Sequence, residues 1–128
     1  MQKQLNHVKE WHEKFLQENG EKPQLLPEND FMLRHRLMEE ENEEYLEACW
    51  NGDIVEIADA LGDQLYILCG TILRHGLQYK IEEVFDEIQR SNMSKLGEDG
   101  KPVLRPTDGK ILKGPNYSKP NLEPIINS

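Results

Sequence analysis

The chain has 128 residues and a formal net charge of −9 at pH 7, with 24 acidic against 15 basic side chains. A chain of this length forms one small domain, and its negative charge disfavours bare nucleic acid as a partner. It shows neither a signal-peptide pattern nor an apolar run long enough to cross a bilayer, so we expect a cytoplasmic protein with no membrane partner.

Two helices are predicted in the first part of the chain. Apolar residues recur at helical spacing from Leu5 onwards, and Gly20 is expected to end that first helix. After a loop with two prolines, Asp30 is a candidate N-cap for a second helix from about Phe31 to Trp50.

Two further helices and a tail follow. Asp53 is predicted to cap a third helix that runs to about His75, with Gly76 as its C-terminal cap. A fourth helix is predicted from about residue 79 to residue 92. The rest is rich in Gly, Pro and Lys, which excludes a long helix, although residues 101–104 and 110–112 are compatible with a small hairpin. We therefore expect a helical domain over 1–96 and an irregular tail over 97–128 that belongs to the same domain.

The middle of the chain is strongly acidic. Ten acidic residues and no Lys or Arg lie between Leu37 and Leu73. Opposite charges four residues apart usually stabilise a helix slightly, whereas in this segment the neighbouring charges are alike and repel each other. A divalent metal bound by carboxylate oxygens is the best candidate for neutralising it.

Helical geometry separates the acids of the second helix into two stripes. Glu41 and Glu44 share a stripe with apolar residues, and Glu40 lies at its edge, so these acids are expected to face inward. The other stripe carries no apolar residue and should face solvent; it consists of Glu39, Glu43 and Glu47.

The third helix is apolar on nearly all sides, which is typical of a buried helix. Its acids Glu56, Asp59 and Asp63 share one face. The opposite face is predicted to be the core stripe, made of Ile54, Ile57, Ala58, Leu61, Leu65, Leu68 and Ile72. In so small a protein this pattern predicts cover by a second subunit, in a homodimer or a dimer of dimers. Gly62 and Gly70 within the helix serve close helix approach or ligand access, or are merely tolerated.

An oxygen-only ligand set suits Mg²⁺, with Mn²⁺ as the alternative. No Cys or His joins the cluster, which disfavours zinc, and no Glu-x-x-His pair of a di-iron bundle is present. The four histidines are expected at the surface or boundary. The two cysteines, Cys49 and Cys69, are expected to be reduced core thiols.

These segments resemble a known family. Residues 37–48, Leu-Met-Glu-Glu-Glu-Asn-Glu-Glu-Tyr-Leu-Glu-Ala, are similar to the first motif of the all-α nucleoside triphosphate pyrophosphohydrolases, the MazG-like superfamily. Residues 56–66 resemble its second motif. The later segments 90–95 and 108–117 resemble the phosphoribosyl-ATP pyrophosphohydrolase-like subgroup, which includes dUTPase-type members.

The resemblance implies an all-α fold, a four-helix MazG-like bundle with an irregular tail, assembled as a homo-oligomer. It also implies Mg²⁺-dependent cleavage of a nucleoside or deoxynucleoside triphosphate to a monophosphate and pyrophosphate, in house-cleaning of the nucleotide pool. By motif position, Glu41, Glu44, Glu56 and Asp59 match the metal ligands, and Glu40 matches an acid that orients or deprotonates water. Asp63 directly precedes the apolar run, so either Asp59 or Asp63 is the second-motif ligand. The candidate catalytic residues are therefore Glu40 and Glu41, and the candidate metal ligands are Glu41, Glu44, Glu56, Asp59 and Asp63.

Substrate contacts are expected from the end of the fourth helix and from the basic tail, which would fold over the phosphates. The candidates are Asn92, Lys95, Lys110, Lys113 and Tyr117. Two alternatives remain open: hydrolysis of phosphoribosyl-ATP in histidine synthesis, and a non-enzymatic helical module whose acids bind a basic partner.

Overall fold

The computed structural model describes residues 1–128, and the chain is mostly helical, which confirms the predicted all-α fold. The elements are α1 (Gln2–Lys14), α2 (Glu28–Trp50), α3 (Ile54–Arg74), α4 (Ile81–Met93), β1 (Val103–Leu104), β2 (Ile111–Leu112) and α5 (Glu123–Ile126). The chain divides into two compact units, Met1–Tyr79 and Lys80–Ser128, each described by itself below. The predicted division into 1–96 and 97–128 stays a prediction. None of the helices is both long and apolar enough to span a membrane.

In the first unit, α3 packs against both α1 and α2. Its core contains Leu5 and Val8 of α1 together with Cys69, Ile72 and Leu73 of α3, each almost fully buried. The three α3 residues of this core lie in the C-terminal half of the helix, whereas Ala60 is the one buried residue of its acidic N-terminal half.

Polar contacts fix how α2 lies against α3. The cross-helix partners are Asp30 with Arg74, Arg34 with Ile67 and Thr71, and Asn42 with Gln64. Residue numbers rise along α2 as they fall along α3, so the two helices are antiparallel. The same register brings Glu41 opposite Asp63, which is how the fold assembles acids that are far apart in sequence.

The connection from α1 to α2 is tied to the end of α3. The backbone N–H of Gly20 donates to the carbonyl of Leu73 at 2.9 Å, and that of Gln24 donates to the carbonyl of His75 at 2.9 Å. The prediction that Gly20 ends α1 is wrong: the helix ends at Lys14, and Leu16 takes a positive φ of 59°. Gly20 instead permits close packing, because a Cβ there would lie 2.9 Å from the Cα of Gly76.

One predicted cap is wrong and one is confirmed. Helix α2 begins at Glu28 after Pro27, and Asp30 lies inside it, where its carboxylate binds Arg74 at 2.9 Å. Asp53 is the N-cap of α3, as predicted. Its carboxylate accepts hydrogen bonds from the backbone N–H of Val55 at 3.0 Å and of Glu56 at 3.2 Å.

The predicted core stripe of α3 is mostly exposed in the single chain. Ile54 is 73% exposed and Leu61 48%, whereas only Ile72 is buried and Ile57 half-buried. The prediction fails because α2 packs on the acidic side of α3, which the sequence pattern had assigned away from the core. This apolar face remains uncovered within one chain, and the predicted homo-oligomer stays a prediction.

Two side-chain placements also differ from expectation. His12 is buried, 3% exposed, and its Nδ1 lies 2.6 Å from Oδ1 of Asn19. Cys49 is exposed, whereas Cys69 is buried as predicted. Burial lowers the pKa of His12 below its ordinary value, and the charges of Arg34 and Arg74 lower it further, while the hydrogen bond to Asn19 opposes them.

The second unit contains α4, the predicted hairpin and the short helix α5. Strands β1 and β2 pair antiparallel, with Val103 opposite Leu112, so the predicted hairpin is confirmed. An ion pair between Arg105 and Asp108 and a positive φ at Gly109 of 73° shape its turn. Only glycine adopts that φ without steric cost, which explains the Asp-Gly pair in the turn.

Candidate metal centre

Three carboxylates from two helices converge at the seam between α2 and α3. Glu41 and Glu44 of α2 and Asp63 of α3 each offer an oxygen, and these oxygens lie within 4.8 Å of one another. The i,i+3 spacing puts both glutamates on neighbouring positions of one helix face. The antiparallel register supplies the aspartate from the facing helix.

The electrostatics of this cluster show strong mutual repulsion. Oε2 of Glu41 is buried and has no hydrogen-bond partner. Burial, a hydrogen bond with Glu44 and the negative charges of Glu44, Asp63 and Asp59 raise the pKa of Glu41 to about 7. Burial and the charges of Asp59 and Glu44 also raise the pKa of Asp63. A buried carboxylate oxygen without a partner is costly, so this site favours either a shared proton or a cation.

A second group of acids surrounds a cavity beside the cluster. The cavity has a volume of about 370 Å³ and is lined by Glu44, Glu47, Ala48, Asn51, Glu56, Asp59 and Ala60. Glu44 belongs to both groups, so the carboxylates form one continuous acidic surface along the α2–α3 seam. Its oxygens fit the hard cations Mg²⁺ and Mn²⁺, which take carboxylate ligands, and the unpartnered oxygen of Glu41 is a donor atom that such a cation would satisfy.

The structure brings together most of the predicted metal ligands. Asp63 lies with Glu41 and Glu44, whereas Asp59 lies with Glu56 around the adjoining cavity. The predicted water-activating residue, Glu40, is exposed and is not part of the three-carboxylate cluster.

The sequence pattern placed Glu47 on the solvent-facing stripe and predicted no site role for Asn51, although both line the acidic cavity. The signal for Glu47 was its position three residues after Glu44, which places the two side chains on adjacent turns.

A partly buried polar clamp next to the seam was also missed. Nε of Arg34 donates to Oγ1 of Thr71 at 2.9 Å, and its Nη2 donates to the carbonyl of Ile67 at 2.8 Å. A Cβ on Gly70 would lie 2.6 Å from Nη2 of Arg34 and 3.0 Å from Nε2 of His12, so the glycine makes room for both side chains. Burial and the nearby charge of Arg74 lower the pKa of Arg34. The clamp joins the two helices that carry the carboxylates.

The predicted substrate-binding residues lie in the second unit. Asn92 is exposed near the end of α4, and Lys110 is exposed just before β2. The ammonium of Lys113 lies 4.7 Å from the ring centroid of Tyr117, a cation–π contact that orients both side chains. The carbonyl of Lys95 accepts a hydrogen bond from the backbone N–H of Gly114 at 2.8 Å. Their contacts with a substrate stay predictions.

Comparison with known proteins gives a family and a fold. The sequence profile described as "Phosphoribosyl-ATP pyrophosphohydrolase" matches residues 8–92. Among 24 matching chains of solved structures is the crystal structure of a putative NTP pyrophosphohydrolase from Exiguobacterium sp. 255-15. That protein is 22% identical, with a TM-score of 0.50 over 97% of this chain and 91% of its own, and at this identity the likeness shows the fold alone. Among curated proteins none matches.

Proposed function

We propose that this chain, which belongs to the phosphoribosyl-ATP pyrophosphohydrolase family, is a Mg²⁺-dependent nucleoside triphosphate pyrophosphohydrolase. It cleaves a nucleoside or deoxynucleoside triphosphate between the α and β phosphorus atoms and releases a monophosphate and pyrophosphate. The role we propose is house-cleaning of the nucleotide pool.

The observation that carries this proposal is the convergence of Glu41, Glu44 and Asp63 within 4.8 Å, with Oε2 of Glu41 buried and unpartnered. An acidic surface repels a triphosphate unless a cation intervenes. The adjoining acidic cavity adds Glu56 and Asp59 as candidate ligands, which supports the proposed set of five acids. A substrate with several phosphate oxygens matches such an extended set.

Each acid has a proposed role. Glu41, Glu44, Glu56, Asp59 and Asp63 hold the divalent cation, which when bound neutralises phosphate charge and lowers the pKa of a water. Glu40 directly precedes Glu41 in α2 and is exposed. We propose that it accepts the proton of the attacking water. The clamp made by Arg34 keeps the two carboxylate-bearing helices in register.

One alternative has a specific observation in its favour. The matched family profile is named for phosphoribosyl-ATP, so hydrolysis of that compound is the second candidate activity. The alternative hypothesis of a non-enzymatic module predicts that the acids are freely solvated. The buried, unpartnered oxygen of Glu41 disfavours it, because a module that binds a basic partner gains nothing from burying a carboxylate oxygen.

The experiment that tests the proposal is a substrate screen. Ribo- and deoxyribonucleoside triphosphates and phosphoribosyl-ATP are incubated with the protein and Mg²⁺, and pyrophosphate release is measured. We expect release from at least one nucleoside triphosphate and none after chelation of the metal. Preferential release from phosphoribosyl-ATP would favour the alternative, and no release from any compound would refute both activities.

Amide variants then test the site. Glu44→Gln and Asp59→Asn preserve shape and remove a negative ligand, so both should abolish Mg²⁺-dependent turnover while the helices remain intact by circular dichroism. The matched control is Glu43→Gln, since Glu43 is exposed on the same helix and lies outside both acidic groups. Wild-type turnover in either ligand variant would contradict the assignment.

A further inference from the structure

A second cavity lies along the α2–α3 seam, next to the carboxylates but with different chemistry. Its volume is about 320 Å³, and it is lined by His35, Met38, Glu39, Asn42 and Gln64. Two of these five residues carry primary amides, one from each helix. This volume lies at the lower end of the roughly 300–1,000 Å³ of small-molecule sites, enough for one flat ring system.

The two amides are joined in a way that leaves a complementary pair of groups free. Nε2 of Gln64 donates to Oδ1 of Asn42 at 3.3 Å. A primary amide has two N–H donors and a carbonyl acceptor, so this bond leaves the NH₂ group of Asn42 and the carbonyl of Gln64 available. Asn42 is exposed and Gln64 is half-buried, so solvent or a ligand can reach both side chains.

A donor beside an acceptor is the complement of a nucleobase edge. Uracil, thymine and guanine present a carbonyl next to a ring N–H, and adenine and cytosine present a ring nitrogen next to an amino group. Rotation of both amides by 180° reverses the order of donor and acceptor, so the pair can match either kind of edge. The thioether of Met38, which is half-buried in the same cavity, is a polarisable group suited to contact with an aromatic face.

The cavity lies next to the acidic cluster, so a nucleotide whose phosphates lie at the cluster could place its base in the cavity. Asn42 directly follows Glu41, and Gln64 directly follows Asp63, so each amide is one residue away from a carboxylate of the cluster. Successive Cα atoms are about 3.8 Å apart, and successive helical side chains diverge by about 100°. The amide cavity and the acidic cluster are therefore adjacent parts of one seam that face different directions.

We propose that the cavity lined by Met38, Asn42 and Gln64 is the nucleobase subsite, in which Asn42 and Gln64 hydrogen-bond to the Watson–Crick edge of the base. The proposal rests on the proposed function and adds the part of the substrate that the carboxylates do not recognise. It also favours simple nucleoside triphosphates over phosphoribosyl-ATP, because in the latter the adenine N1 carries the second ribose and its edge is blocked.

The test compares ligands with and without a base. Dissociation constants are measured by calorimetry, with Mg²⁺ present, for α,β-methylene dUTP, α,β-methylene dATP and inorganic tripolyphosphate. The variants are Asn42→Leu and Gln64→Met, which keep approximate size and remove the amide. The matched control is Gln89→Met, which removes an exposed amide from α4.

We expect each cavity variant to weaken at least one of the two nucleotide analogues by about tenfold, or about 1.4 kcal/mol. Tripolyphosphate affinity should change less than about twofold, and the control should match the wild type for all three ligands. If the amides had a merely structural role, their removal would not weaken the binding of the base-bearing ligands alone. Equal loss of tripolyphosphate affinity, unchanged nucleotide affinity in both cavity variants, or a wild type that binds neither analogue would overturn the proposal.

Failure of the proposed function gives a different result. A wild type that binds the analogues in an amide-dependent way but releases no pyrophosphate from any triphosphate would refute the hydrolase activity and support the subsite.

Discussion

The pKa of Glu41 predicts how the stability of the metal-free protein changes with pH and what Glu41→Gln does to it. In the folded chain this pKa is about 7, whereas the ordinary value is 4.5. Between these values the folded state holds a proton that the unfolded chain releases. The contribution of Glu41 to stability is therefore fully present below about pH 4.5 and is lost as pH rises through about 7.

The size of the effect follows from that difference. One pKa unit corresponds to about 1.36 kcal/mol, so the ionised Glu41 would cost about 3 kcal/mol in a dry site. Glu44 is exposed, so water and salt screen the repulsion, and we expect a cost of about 1 kcal/mol. Glu41→Gln carries no charge at any pH. It should match the wild type at about pH 4 and exceed its free energy of unfolding by about 1 kcal/mol at about pH 8.

The assay is urea unfolding followed by circular dichroism, in the presence of a chelator, at both pH values. Glu43→Gln is the control, because its exposed carboxylate lies outside the cluster and its removal should leave the pH dependence unchanged. Addition of Mg²⁺ at the higher pH should reverse the order, since a cation stabilises the wild-type carboxylates and loses a ligand in the amide variant. Parallel stability curves for Glu41→Gln and the wild type would refute the repulsion that underlies this reasoning.

The remaining predictions concern packing, assembly and the tail. Gly70→Ala should destabilise the protein by about 1–2 kcal/mol in thermal or urea unfolding, because its Cβ would lie 2.6 Å from Nη2 of the partly buried Arg34. Gly62→Ala, with nothing within 4 Å of its Cβ, should instead stabilise α3 by about 0.5–1 kcal/mol. A change in the free energy of unfolding with the same sign in both variants would contradict the packing argument. The exposed apolar face of α3 predicts a homo-oligomer by light scattering at micromolar concentration, and Leu65→Lys, which charges that face, should shift the mass towards the monomer. If Lys110 binds phosphate as predicted, Lys110→Gln should raise the KM for the preferred nucleotide several-fold with little change in kcat. An unchanged KM would show that this lysine does not contact the substrate.

Local sequence signals determined most of the secondary structure. The N-cap at Asp53 predicted where α3 begins, because its carboxylate acts on backbone N–H groups only two and three residues away. The same holds for the hairpin, whose Asp-Gly turn and flanking apolar residues are all local. The grouping of Glu41 with Glu44 followed from helical spacing alone.

Only the tertiary structure decided which faces are covered and which polar groups meet. Helix α3 is apolar nearly all round, so its periodicity did not reveal which side α2 covers, and the side predicted to be core is the exposed one. Asp30 looked like an N-cap because its partner, Arg74, lies on another helix and cannot be read from neighbouring residues. The same holds for Gly70, whose role depends on the side chains of Arg34 and His12 from two other helices. Helical spacing acts within a few residues, whereas these contacts depend on the register between helices, and that register is set by the packing of the whole unit.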